Sequence, residues 1–305
     1  MSKSKIQWTD ITINPIHLAR EDGSHGGHWC RKVSPECANC YAESQNQNSF
    51  FPWASKLKYQ GEKPPNLTLD MDVLKKIKAL KRKKIFLCSM TDLFGDWIPD
   101  EWIKKILDFL IEDNNSKEYK DRNIIQILTK RSKRMKDFLN EYLLRKEPFE
   151  YENIWFGVSV GYQKASYRID DLITVDYPIF RFLSCEPLIE YVDLKLCEYV
   201  QIETEEFGVI EELRGNFLDW IIVGGESGTK ARTTDFDNIN SIVEQVQEFN
   251  NINVFSPEWQ IALFVKQLGS NISNLPDGLI QKQLGKKGQN FDAFPEHLKV
   301  REFPN

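Results

Sequence analysis

The sequence predicts an α/β protein built on a full or partial (β/α) barrel of about six to eight parallel strands. Three observations carry that prediction. Short, continuously apolar runs rich in Ile, Val, Phe and Trp recur along the chain, stretches with helical spacing separate most of them, and no glycine-rich dinucleotide fingerprint follows the first run. Continuous hydrophobicity means that both faces of a strand are covered, as in a parallel sheet wrapped by helices. Strand and helix alternate at a pitch of about 25 to 40 residues, which is that of a β/α unit. Polar groups follow every strand instead of gathering at one switch point, which favours a TIM-like barrel over a doubly wound sheet.

The elements follow in order. A cysteine-motif loop near residues 17–45 comes first, before any strand of the rhythm. Strands are expected at Ile85 to Cys88, Ile124 to Leu128, Ile154 to Val160, Ile179 to Leu183, Trp220 to Val223 and Ile261 to Val265. Helices are expected where apolar residues recur three and four apart. These sets are Val73, Leu74, Ile77 and Leu80, then Ile103, Ile106, Leu107 and Leu110 behind a first-turn Pro99. Met135, Phe138, Leu139 and Leu143 follow a capping Ser132, and Ile239, Ile242, Val243 and Val246 follow Asp235 to Asp237.

Two stretches break the rhythm. An acidic excursion near residues 190–217 contains Glu203-Thr204-Glu205-Glu206 and is longer than a simple crossover needs. The domain reading is therefore a barrel over residues 1–269 carrying the cysteine loop and this excursion, with a C-terminal extension over 270–305 packed on it. With 305 residues, 41% of them hydrophobic, the chain has ample material for a core. No run approaches a membrane span and the start has no signal-peptide stretch, so the expected location is cytoplasmic. A net charge of -5 gives no general pull toward nucleic acid, and the basic stretches Lys75 to Lys84 and Lys130 to Lys136 read first as solvated helix faces.

The residues leaving each strand supply the candidate site: Ser89 and Asp92, Lys130 and Arg131, Ser159, Cys185 and Glu186, Glu226, and Lys266. In a barrel such strand ends converge on one mouth, so groups far apart in sequence can meet one ligand. Three of the six cysteines, Cys30, Cys37 and Cys40, lie within eleven residues. A reducing compartment makes disulfides unfavourable, which turns this cluster toward metal or catalytic use. Three thiolates leave a fourth position open. An iron-sulfur cube held by three cysteines exposes one iron to a small molecule, whereas zinc closes its tetrahedron with four ligands. His28, with His25 in the same polar insertion of residues 18–29, offers that fourth ligand as a Cys3His zinc site.

Ordered motifs then point to a family. Ile6-Gln7-Trp8-Thr9-Asp10, Asn14-Pro15, Lys32-Val33-Ser34-Pro35 and Cys37-Ala38-Asn39-Cys40-Tyr41-Ala42-Glu43 closely resemble the phage gp thirty-seven/gp sixty-eight family, a three-cysteine group of unassigned function. So do Ser89-Met90-Thr91-Asp92-Leu93-Phe94, Leu128-Thr129-Lys130-Arg131, Gly157-Val158-Ser159-Val160, Arg181 to Leu188, Val223 to Gly228 and Phe264-Val265-Lys266-Gln267.

Its cysteine motif and barrel are similar to those of radical S-adenosylmethionine enzymes. By that likeness Cys30, Cys37 and Cys40 hold a [4Fe-4S] cluster, although six residues separate the first two cysteines where three are usual. The resemblance implies reductive cleavage of S-adenosylmethionine to a 5'-deoxyadenosyl radical and hydrogen abstraction from a substrate, nucleic acid being one candidate. It also implies an electron donor such as a flavodoxin or ferredoxin. On this reading Asp92 or Glu226 receives the methionyl ammonium, with position along the chain favouring Asp92. Lys130 and Arg131 meet a carboxylate or phosphate, Ser159 meets a ribose hydroxyl, and Ser89 lies with them at the cofactor. Glu186 and Lys266 touch the substrate or move protons. The competing reading is a zinc-stabilised barrel that binds a ligand or nucleic acid.

Overall fold

Seven strands form one sheet, in the order Ile11–Ile13, Lys84–Leu87, Ile124–Thr129, Ile154–Ser159, Phe180–Cys185, Trp220–Gly224 and Ala262–Gln267. The computed structural model describes residues 4–204 and 208–304, so Glu205 and Glu206 of the acidic run lie outside the described residues. Each successive strand joins the sheet beside the one before it, the order of a partial (β/α) barrel. No helix among the described residues is long and apolar enough to cross a membrane. The chain divides into two compact units, Met1–Phe156 and Gly157–Asn305.

In the first unit β1 (Ile11–Ile13), β4 (Lys84–Leu87) and β5 (Ile124–Thr129) are sheet strands, and β6 (Ile154–Ser159) begins there. β1 pairs parallel with β4, and β4 with β5. β2 (Ile16–Leu18) and β3 (Leu67–Leu69) form a separate antiparallel ribbon. Cys88, expected as the end of a strand, instead takes a left-handed φ of 57° just past β4 and turns the chain into Ser89–Asp92. The first helix, α1 (Tyr41–Gln47), starts directly after Cys40, and Cys37 closes a short 3-10 turn, Pro35–Cys37.

The spacing Val73 to Leu80 yields only a five-residue α2 (Met71–Lys75), capped by the Asp70 carboxylate, and then tightens into a 3-10 turn. α3 (Asp100–Asn115) buries Ile103, Ile106, Leu107, Leu110 and Ile111. Each such side chain is worth about 1.5–3 kcal/mol of burial. Pro99 is the residue before the helix, and Asp100 and Glu101 complement the helix's positive end. α4 (Ser132–Leu143) buries Met135, Leu139 and Leu143. Ser132, expected as the cap, is the buried first helical residue. Arg131 takes the cap position with no side-chain cap bond, because a guanidinium has only donors and cannot accept from the first-turn amides. A single turn, α5 (Pro148–Tyr151), leads into β6.

In the second unit β7 (Phe180–Cys185) and β12 (Ala262–Gln267) flank β10 (Trp220–Gly224), both pairings parallel. β6 and β10 are buried along their whole length, which is why their hydrophobicity is continuous. α6 (Tyr167–Ile173), a crossover too short to register as periodic, precedes β7. Within the expected excursion, β8 (Tyr199–Thr204) and β9 (Gly208–Leu213) make an antiparallel hairpin. α7 (Phe236–Ile252) buries Ile239, Ile242, Val243 and Val246, and the Asp235 carboxylate accepts the Asp237 amide at its start. β11 (Thr234–Asp235) pairs with β13 (Ile272–Ser273). The tail carries one turn of helix, α8 (Gln281–Leu284), and ends along β12, where the Val265 amide donates to the Val300 carbonyl at 2.9 Å.

Candidate functional site

The cysteine loop, β4 and β5 build the site of the first unit. Cys30 and Cys40 both pack against a small buried cluster of Ala42, Tyr59 and Met90. The Tyr59 hydroxyl donates to the Met90 carbonyl at 2.8 Å, which fixes the floor of that cluster. Burial pushes the Cys30 thiol up to about 12, with the Asp92 carboxylate adding to the rise, while the Arg131 guanidinium and the Asp92 amide favour its thiolate. Burial likewise raises Cys40, against the amides of Ala42 and Glu43 and the Lys130 ammonium. Cys37 is half-buried beside the Ser34 hydroxyl at 3.8 Å.

Asp92 organises the strand ends. Its carboxylate accepts from the Thr129 hydroxyl at 2.6 Å, the Phe94 and Lys130 amides at 3.0 Å each, and the Arg131 guanidinium at 2.9 Å. Both side chains of this ion pair are nearly buried, 10% and 13% exposed. Arg131 also donates to the Arg31 carbonyl at 2.8 Å and stacks over Trp97 at 4.4 Å. It therefore ties the residue after Cys30 to the end of β5. The Ser89 hydroxyl is paired with Asn14, and the Tyr41 hydroxyl donates to the Ser89 carbonyl at 2.7 Å.

The insertion forms a second cluster in the same unit. His25 Nε2 faces His28 Nε2 at 3.2 Å, and His28 Nδ1 donates to the Ile16 carbonyl at 3.0 Å. His28 Nε2 is thus turned to His25. Burial lowers His25 to about 4 and His28 to about 3, so both rings are neutral at neutral pH. His17 stands against His25 and has Nε2 on Asp70 at 3.2 Å.

In the second unit the carboxyl ends of β7, β10 and β12 carry Glu186, Gly224 and Lys266. The Lys266 ammonium lies 2.8 Å from Glu186 Oε1, with the side chains 20% and 11% exposed. Glu186 folds against Gly224, where an added Cβ would fall 2.6 Å from its Oε1. Glu226 is buried and held by Arg232, whose Nε and Nη2 donate at 3.0 and 2.7 Å. Ser159 is buried, and its carbonyl accepts from Arg168 at 2.7 Å.

The strand-end rule therefore finds Asp92 with Lys130 and Arg131 in one unit and Glu186 with Lys266 in the other. It misses Arg232, Tyr59, Trp97 and Asn14, which lie in loops and carry no periodic signal. Among the described residues no group of three or more His, Cys, Asp or Glu side chains is drawn together to hold a metal ion. Three thiols share one loop, with a guanidinium, an ammonium and backbone amides on the sulfur side.

A family described as "Protein of unknown function (DUF5131)" matches residues 3–295. No curated protein and no solved structure matches the chain.

Proposed function

The chain belongs to that family of unknown function, and from its own residues we propose that it is an iron-sulfur enzyme of the radical S-adenosylmethionine type. One observation supports this most. Cys30 and Cys40 share an apolar floor, and each sulfur is accompanied by a cation and a backbone amide that favour its anionic form. Cys30, Cys37 and Cys40 would hold a [4Fe-4S] cluster, whose loading removes the thiol protons that burial otherwise retains. When bound, the cluster supplies the electron that cleaves the sulfonium of S-adenosylmethionine.

The protein's own share is positioning and proton handling. Arg131 pins the cysteine loop through the Arg31 carbonyl. Asp92 is already satisfied by four donors, so its part is to hold Arg131 and Lys130 in place for an anionic group of the cofactor or substrate. Glu226 is likewise held by Arg232, which leaves the Glu186–Lys266 pair as the acid-base couple. The Lys266 Nζ lies 2.8 Å from Glu186 Oε1, close enough for a proton to pass between the two during turnover.

The test is anaerobic reconstitution of the full chain with iron and sulfide. The expected product is a brown protein holding ~4 iron and ~4 sulfide, which releases 5'-deoxyadenosine from S-adenosylmethionine under dithionite. Cys30→Ala should abolish that release while leaving the circular dichroism spectrum unchanged. Stoichiometric zinc in colourless protein, with no cofactor cleavage after reconstitution, would overturn the proposal.

A further inference from the structure

The histidines of the insertion are not used by this chemistry, and their geometry is specific. His25 Nε2 and His28 Nε2 approach to 3.2 Å. Two imidazole nitrogens bound to one zinc-type cation at about 2.0–2.1 Å are separated by that distance when the angle at the metal is about 100°. Their bite is therefore that of two neighbouring corners of a tetrahedron.

Both rings are held in place before any metal arrives. His28 Nδ1–H donates to the Ile16 carbonyl, the outer-shell bond that commonly orients a metal-binding imidazole and leaves Nε2 with its lone pair outward. The His28 amide donates to Asn46 Oδ1 at 2.8 Å, and the Gly26 and Leu18 amides tie the insertion to β2 through Leu18 and Gly27. Trp53 lies edge-on to both rings, at 5.9 and 5.7 Å.

We infer that His25 and His28 form a binding site for a borderline divalent transition metal such as Zn2+, separate from Cys30, Cys37 and Cys40. Neutral imidazole selects zinc, nickel or copper over magnesium or calcium. His17 is not the third ligand, since both its ring nitrogens face oxygen acceptors, the Leu18 carbonyl and Asp70. The remaining positions therefore fall to water. In the metal-free pair the His25 Nε2–H donates to His28 Nε2, and the Gly27 amide donates to His25 Nδ1 at 3.4 Å. On binding, the His25 proton moves from Nε2 to Nδ1 and that long Gly27 bond is given up, so no net proton is released.

The test titrates ZnCl2 into chelator-stripped full-length protein carrying Cys30→Ser, Cys37→Ser and Cys40→Ser, followed by calorimetry. One equivalent is expected to bind. His25→Gln or His28→Gln should weaken it by more than about 100-fold, beyond the ~10–100-fold that loss of an outer-shell partner commonly costs, while His297→Gln leaves it unchanged. If the triple variant does not fold, Co2+ is titrated into the native chain. A weak visible component, separate from any sulfur-to-metal charge transfer at the cysteines and lost in His28→Gln, is then expected. Absence of stoichiometric binding, or equal affinity in all the histidine variants, overturns the inference. Because cluster assembly is not measured, either result leaves the radical-enzyme reading independent.

Discussion

Arg131→Met removes three interactions at once and leaves the aliphatic stem. Lost are the 2.9 Å bond to Asp92, the 2.8 Å bond to the Arg31 carbonyl and the 4.4 Å stack on Trp97. Breaking a buried ion pair by removing one partner costs about 3–5 kcal/mol, since the remaining charge is left uncompensated. Here the Asp92 carboxylate keeps the Thr129 hydroxyl and two amides, which places the electrostatic loss at the lower end. The stack adds about 1 kcal/mol. The expected destabilisation is therefore about 3–4 kcal/mol, concentrated where the cysteine loop meets β5.

Two measurements read it. Urea unfolding followed by tryptophan fluorescence should shift to lower midpoint. Alkylation of Cys30 in the native protein, followed by peptide mass spectrometry, should accelerate at least tenfold as the loop opens locally. Arg131→Lys restores a charge but not the second donor, and should recover only part of either effect. An unchanged midpoint together with an unchanged Cys30 labelling rate would refute the role of Arg131 as a clamp.

Further predictions concern other groups. Gly224→Ala places a methyl group 2.6 Å from Glu186 Oε1, so it should push the carboxylate off Lys266 and, on the proposed radical-enzyme reading, impair substrate turnover while far-ultraviolet circular dichroism stays native. Burial raises Asp219 to about 6 from 3.8. Because the folded state binds this proton more tightly, the contribution of Asp219 to stability should fall as pH rises from about 4 to 6 and level off above, against the rise that the neutral His25 and His28 give over the same range, so it is read as the difference between wild type and variant. Asp219→Asn should remove that fall and gain up to about 3 kcal/mol at pH 7, as two-state fits of urea unfolding across pH would show. Tyr59→Phe strips the Met90 carbonyl of its donor, so a loss of about 1–3 kcal/mol is expected in the same unfolding assay, and an unaltered midpoint would count against the floor of the cysteine cluster.

Much of the architecture was legible because it is periodic. β5, β6 and β10 coincide to within a residue or two with apolar runs, and α3 and α7 with spacings of three and four. The three-residue β1 and the seven-residue α6 were not, being too short to show a period. The apolar spacing of Val73 to Leu80 persists, but the chain there tightens into a 3-10 turn that the same spacing cannot reveal.

Side-chain partnership followed a different logic. Sequence placed Asp92 and Arg131 at strand ends, but that Arg131 would reach both Asp92 and the carbonyl beside Cys30 depends on loops brought together across 100 residues. His28 could be proposed as a cysteine partner on spacing alone, yet the backbone of β2 supplies the Ile16 carbonyl that turns its ring toward His25. Local patterns of hydrophobicity, set by the two periods of helix and strand, determined the class of fold and the roster of polar groups. Which of those groups meet was decided only by tertiary structure, because a hydrogen bond or ion pair needs an approach of about 3 Å that no sequence interval specifies.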